Sequence, residues 1–384
     1  MRCEIKNMVK TAATISRLIA LCLIAQMLIS VNAWLPFHRS FPTVPLFAQW
    51  PVRWGAFLNS VFFLLMRGCC VFLLLRPFSK RAMIILLSCF FLDVLEDVTR
   101  LQPWFWLFAL MYSAFLFFDA GKDAGKILLS VGLVLSSAYL WSGLQKMNVH
   151  FAVEMFPWLC EFTGARHFAE GHHGLAYSVG GLEALGGILL WFQRTRRLAC
   201  FLIFGTHLFI LLSLGPTGHN WNRVVWPWNI CFALLTFLLF FCESGIRLPD
   251  LKMSVYHIAM SLLIFVMPVL NFFDRWDHFL SGSYYSSLVS SGVLTFALED
   301  AGKLPASSKA FQFYSEQEQR GVLLLDAWAL DELQVPLYPE DRVHVALREK
   351  FKLLLKHPEQ AEVRIFRKQR FESNTTVIRF PLSR

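Results

Sequence analysis

Residues 119–148 read DAGKDAGKILLSVGLVLSSAYLWSGLQKMN. After Lys126 no charge appears until Lys146, and the apolar run near 125–143 has about the length that a helix needs to cross a bilayer core. In hydrocarbon the backbone must satisfy its own hydrogen bonds, so a helix is the expected form. Comparable runs lie near 12–33, 54–75, 82–95, 103–118, 175–192, 198–214, 226–242 and 255–272, those at 82–95 and 103–118 being short. The expected fold class is an all-α polytopic membrane protein with about nine transmembrane helices over residues 1–273, followed by a small α+β soluble tail over 274–384.

Composition agrees with this. The chain is 56% hydrophobic and 16% charged, with 38 Phe, whereas soluble domains are about one-quarter charged. A net charge of +9 is a possible sign of nucleic-acid binding, but here the basic residues sit in short clusters between apolar runs, so no nucleic-acid partner is expected and the lipid bilayer is. The clusters are Arg2, Lys6 and Lys10; RPFSKR at 76–81; DAGKDAGK at 119–126; QRTRR at 193–197; and Arg247 with Lys252. They occupy every second loop. By the positive-inside rule the N-terminus is cytoplasmic and, after nine crossings, the tail is outside, with a bacterial inner membrane as the expected location. Val31 and Ala33 before Trp34 loosely fit a small-residue cleavage site, but the first run is read as an uncleaved span. In the tail, DEL at 331–333, YPEDRVHVALREKFKLLLKH at 338–357 and EVRIFRKQRFE at 362–372 read as helix followed by strands, with a modest core from Leu330, Leu333, Val343, Leu347, Phe351 and Leu355.

Ionisable groups inside apolar runs are costly and therefore mark functional candidates: Arg67, Asp93, Glu96, Asp97, Lys146, Glu183 and His207. Arg67 and Asp93 are expected to pair across neighbouring spans, and Glu96 and Asp97 to be solvated at a span end. Lys146 ends the fifth run. The alternatives for it are a side chain snorkelling to the headgroups and a lysine held in apolar surroundings, where burial disfavours the charged form and leaves a base. Gly143 permits close approach of a backbone or ligand, and Gln145 and Asn148 offer hydrogen bonds. Beyond His207, the loop GPTGHNWNRVVWPWN at 215–229 sets His219, Asn220 and Asn229 among Trp221, Trp226 and Trp228. Tryptophan is ordinary interfacial anchoring, but so amide-rich and aromatic a loop also suits a flat quinone ring. His167, His172 and His173 lie in the polar segment 150–174 without metal-ligand spacing, and no metal is expected. The nine cysteines show no CxxC pair or disulfide framework, and no P-loop or GxSxG is present.

YLWSGLQKMN at 139–148 resembles the signature of vitamin K-dependent γ-carboxylases and their bacterial relatives, the HTTM (horizontally transferred transmembrane domain) proteins. The resemblance is loose over 50–245 and specific only around 139–148. It implies that Lys146 is the base that deprotonates a reduced quinone of the vitamin K or menaquinol type, and that His207 belongs to the same active-site region. Oxygen then adds to give a base strong enough to take an unactivated proton, and a peptide or small molecule is the acceptor to be carboxylated. His219, Asn220, Trp226 and Asn229 are the residues expected to hold the cofactor. Two departures stand out: the tail is shorter than the large substrate-binding domain of the eukaryotic enzymes, and Gln145 replaces a basic residue before the motif lysine. The alternatives are a quinone-linked redox membrane protein of the DoxX or MauE type, a transporter using Arg67, Asp93 and Glu183, and a membrane anchor without chemistry.

Overall fold

The computed structural model describes residues 2–48, 53–242 and 253–382. The basic loop with Arg247 and Lys252 lies outside the described residues. Each of the nine apolar runs contains a helix: α1 Arg2–Ile29, α2 Gly55–Leu75, α3 Lys80–Glu96, α4 Pro103–Phe117, α5 Ala124–Gln145, α6 His173–Leu189, α7 Arg196–Leu214, α8 Val225–Thr236 and α9 Val255–Ser261. Helix α8 runs on through a π turn at Phe237–Phe241. Helix α9 passes through a π turn at Leu262–Val266 into a 3-10 stretch at Met267–Phe273, where Pro268 has no amide to donate and the α-helical ladder gives way.

Among the described residues, five segments are long and apolar enough to cross a membrane: Glu4–Ile29, Gly55–Leu75, Ala124–Gln145, Arg196–Leu214 and Val255–Phe273. Pro103–Phe117 and Val225–Phe241 are shorter apolar helices, and α3 and α6 have 17 residues each. A multi-pass membrane protein fits these helices. Helix α2 exposes Phe57, Leu64, Phe72 and Leu75, a surface that water would penalise and lipid would not. Helix α5 is the most enclosed of the five.

The chain divides into two compact units, discontinuous in sequence where hydropathy draws one boundary after residue 273. The first comprises Met1–Leu28, Leu64–Cys89 and Pro103–Ser287, and the second Ile29–Phe63, Phe90–Gln102 and Leu288–Arg384. The second unit holds a five-stranded antiparallel sheet of β1 Ser291–Phe296, β2 Gln312–Ser315, β3 Arg320–Leu324, β4 Glu362–Lys368 and β5 Thr375–Pro381, in the order β2-β3-β1-β4-β5. Leu294 stands opposite Leu323 on one side and Val363 on the other. These three are buried, as are Trp328 and Leu333 of α10 (Leu325–Leu333) and Leu347 and Phe351 of α11 (Asp341–Lys352).

Two expectations about charge are corrected in this unit. Asp93 pairs with Arg100, whose Nη1 lies 2.9 Å from Asp93 Oδ1 and 3.3 Å from Glu96 Oε2. Glu96 and Asp97 are buried rather than solvated. Asp97 binds Arg39 and accepts the amide of Thr99, while Glu96 accepts the amide of Trp54 at 2.9 Å. The polypeptide turns in a 3-10 step at Val98–Arg100 directly after α3, which swings Arg100 back over the carboxylates of the helix it has just left.

Candidate functional site

Helices α5 and α6 approach each other at glycine. A Cβ added to Gly143 would lie 2.3 Å from the Ala184 amide nitrogen and 2.4 Å from the Gly180 carbonyl oxygen, and one added to Gly187 would lie 2.7 Å from Ser136 O. Small residues of this kind let membrane helices meet backbone to backbone. Gly143 is thus needed for a neighbouring helix rather than for a ligand.

This approach brings the last turn of α5 onto the middle of α6 and joins two charged side chains 37 residues apart. Lys146 Nζ donates to Glu183 Oε2 at 2.5 Å and to Ser142 Oγ, one turn back, at 2.8 Å. Lys146 and Glu183 are 5% and 7% exposed, so the lysine turns inward instead of snorkelling. An isolated charge at such a site would be expensive, and each supplies the other's counter-ion.

A second polar chain crosses the same region. Asn229 Nδ2 donates to Val225 O at 2.8 Å, which leaves its Oδ1 to accept from His207 Nδ1 at 2.9 Å. With Nδ1 protonated, neutral His207 presents Nε2 as an acceptor, and the Tyr139 hydroxyl donates to it at 3.0 Å. Thr236 Oγ1, 2.8 Å from the Tyr139 oxygen, then serves as donor to it. The tautomer thus follows from one backbone carbonyl at the start of α8.

Between these groups lies a cavity with about 530 Å³ of empty space, its open mouth included. Lys146, Glu183, Tyr139, Ser142, His207 and Asn229 give it polar groups; Ala138, Ile210, Trp228, Phe232 and the rings of Tyr284 and Tyr285 give it apolar walls. Burial pushes both phenol pKa values up, and for Tyr285 this prevails over a hydrogen bond from Asn222 that favours ionisation. Both tyrosines therefore stay protonated.

Of the residues singled out in the sequence as candidates, Lys146, Glu183, His207 and Asn229 meet at this cavity. The others have different work. His219 stacks on Trp158 at 4.0 Å, with its Nε2 2.8 Å from that residue's carbonyl. Asn220 occupies a turn with φ +48°, and Trp226 donates to Leu214 O at 2.9 Å. Gln145 donates to Asn271 Oδ1, and Asn148 to Ser286 O, so the two amides fasten residues 271–286 to the end of α5. His167 and His172 are exposed, and among the described residues no three His, Cys, Asp or Glu side chains group as metal ligands. Glu183 was visible as an ionisable group in an apolar run, but nothing in the sequence joined it to Lys146. Trp228, Tyr284 and Tyr285 carried no signal that separated them from interfacial aromatics. Comparison with family models, with curated proteins and with solved structures yields no match to this chain.

Proposed function

We propose that all nine apolar helices cross a bacterial inner membrane, with the N-terminus cytoplasmic and the residues after 273 outside, and that the cavity performs proton abstraction of the kind found in vitamin K-dependent carboxylases and HTTM proteins. The alternation of basic loops supports the orientation. The observation that carries the chemistry is the buried Lys146–Glu183 pair on a cavity with aromatic walls. A ligand hydroxyl entering there gives its proton to the pair, where Glu183 accepts it, and the Lys146 ammonium remains beside the oxyanion so formed. Charge is conserved in this step and the anion is stabilised by a cation already in place. His207, locked as the Nδ1–H tautomer, fixes the adjacent wall and adds no competing charge.

A reduced quinone fits this set of residues: Trp228, Phe232 and Tyr284 offer ring surfaces, and Lys146 with Glu183 meets a hydroxyl. Together with oxygen, such a quinol would supply a base strong enough for an unactivated C–H bond, with a peptide or small molecule as acceptor. The apolar walls keep bulk water from quenching that base. The test is oxygen-dependent consumption of a reduced menaquinone analogue by the purified protein, with the epoxide product followed. Lys146→Ala is expected to abolish turnover while retaining wild-type helical content. Turnover by that variant at the wild-type rate overturns the assignment.

A further inference from the structure

Helix α11 keeps to its amphipathic pattern up to its end and then departs from it. Val343, Leu347 and Phe351 are buried, but the residues that follow expose Leu353 by 84% and Leu354 by 42% before Leu355 returns to the core. A single exposed leucine is ordinary. These two are set among cations, since Lys350, Lys352 and Lys356 flank them in KFKLLLK at 350–356. Burial and then the charge of Arg53 hold the Lys350 pKa below the ordinary lysine value, so a fourth cation stands close by. Among the described residues none of the four forms an ion pair. The carboxylates nearest in sequence are engaged elsewhere: Glu349 pairs with Arg348 at 3.7 Å, and Glu359 lies 3.4 Å from His357 Nδ1.

The same unit ties this segment to the membrane. Arg53 and Trp54 immediately precede α2, which is long and apolar enough to cross a bilayer and exposes Phe57 in its first turn. The tail is fastened to other segments that lead into or out of apolar helices. Asn32, soon after α1, donates from Nδ2 to Glu332 O at 2.9 Å, and the ring of Phe41 meets Trp328 at 4.8 Å. Gln102, just before α4, donates from Nε2 to Pro336 O at 3.0 Å.

We propose that residues 350–356 dock on the bilayer that α2 enters, with Lys350, Lys352, Lys356 and Arg53 against anionic lipid headgroups and Leu353 and Leu354 inserted beneath them. An apolar centre with a basic rim is what a segment lying in the interface needs. Lysine stems run along apolar surface while their ammonium groups reach the headgroups, and each such lysine strengthens binding to an anionic surface by about fivefold. The inference rests on α2 crossing the membrane and not on the chemistry of the cavity.

The test places the full-length protein in nanodiscs of phosphatidylcholine, alone or mixed with phosphatidylglycerol, with a polarity-sensitive fluorophore on Leu353→Cys. Unsubstituted protein treated in the same way gives the background from the native cysteines. In the mixed discs the emission is expected to shift to the blue and to be quenched by nitroxide-bearing lipid, and added salt should reverse both effects. The neutral discs should show neither. Combining Lys350→Gln, Lys352→Gln and Lys356→Gln should lower the ratio of docked to free segment about a hundredfold, with helical content unchanged. Phe371→Cys is the control position: Phe371 is also 84% exposed, but it follows the end of β4, whereas 350–356 precede its start. Equal emission in the two lipids overturns the inference, as does an unchanged signal in the triple variant or an equal shift at position 371. Docking by a protein that turns over no quinol upholds the inference and sinks the proposed chemistry alone.

Discussion

Gly143→Ala tests the geometry on which the site depends. The added methyl would sit 2.3 Å from Ala184 N and 2.4 Å from Gly180 O, both backbone atoms with no rotamer to change. Ordinary contact begins at 3.4 Å, so α5 and α6 must separate by about 3.4 − 2.3 = 1.1 Å at this point. Overpacking of this kind costs about 1–3 kcal/mol. If the same displacement reaches the ion pair one turn away, the 2.5 Å Lys146–Glu183 hydrogen bond stretches to roughly 3.6 Å, beyond hydrogen-bonding length. Gly181→Ala is the matched control on α6, because nothing lies within 4 Å of its added Cβ and alanine favours helix by up to about 1 kcal/mol. Unfolding in mixed SDS micelles, followed by circular dichroism, should show Gly143→Ala less stable than wild type and Gly181→Ala equal or better. The substitution at 143 should also cut quinol turnover. Equal stability and turnover in the two variants would refute the close approach and the reasoning built on it.

Removing one member of a buried ion pair strands the other, so Lys146→Met and Glu183→Leu should each destabilise by about 3–5 kcal/mol, whereas the double variant should recover most of the loss in the same unfolding assay; additive losses would argue against a coupled pair. Tyr139→Phe leaves His207 Nε2 without its donor and should cost about 1–3 kcal/mol; an unaltered unfolding midpoint would remove Tyr139 from the chain of hydrogen bonds. In the second unit burial acts to lower the His344 pKa, but the Asp326 carboxylate, 3.5 Å from Nε2, and the charge of Asp341 raise it net above the ordinary histidine value. Arg367, which binds Asp341, is the nearby opposing charge. A folded pKa above the unfolded one gives stability that is full below the unfolded pKa of about 6.5 and lost as pH rises through the folded value. Hydrogen exchange at the Gly292 amide, which Asp326 accepts at 2.7 Å, should lose protection over that rise beyond the base-catalysed trend. His344→Gln should abolish the extra slope, and persistence of the slope in that variant would exclude His344 as its source.

Much of the helical framework was legible because apolar length is a local property, and all nine runs contain helices. Lys146 and His207 stood out for the same reason, as ionisable groups set in apolar sequence. Their partners were not legible. Glu183 meets Lys146 only because glycines at 143, 180 and 187 let two helices touch, and that is a matter of three-dimensional crossing. Trp226 and Trp228 look alike in sequence, but two residues on a helix differ in direction by about 200°, so one indole is spent on Leu214 O and the other lines the cavity. Asp93 was matched with the wrong arginine because Arg100 lies past the apolar run and returns only through the turn at Val98–Arg100. Helix α11 and strand β4 follow from periodicity, whereas β1, β2 and β3, of four to six residues, are too short to show a pattern without the neighbours they pair with.

Two buried ionic clusters invite a functional reading, and their surroundings separate them. Around Arg100 the charges are tied to backbone: the guanidinium donates to Ala33 O, Trp34 O and Asp93 O, Asp97 accepts the Thr99 and Val44 amides, and Glu96 accepts the Trp54 amide. These bonds connect segments far apart in sequence, while Asp93 Oδ2 and Arg39 Nε are buried without a partner. Such a cluster holds the polypeptide in place. The Lys146 ammonium has three protons and spends two, on Ser142 and Glu183, at the lining of a cavity. Both clusters keep a polar atom or proton unpaired, and what separates them is place: Lys146 and Glu183 line a cavity that a ligand could enter, which is why the proposed chemistry is assigned to that pair and a holding role to the cluster around Arg100.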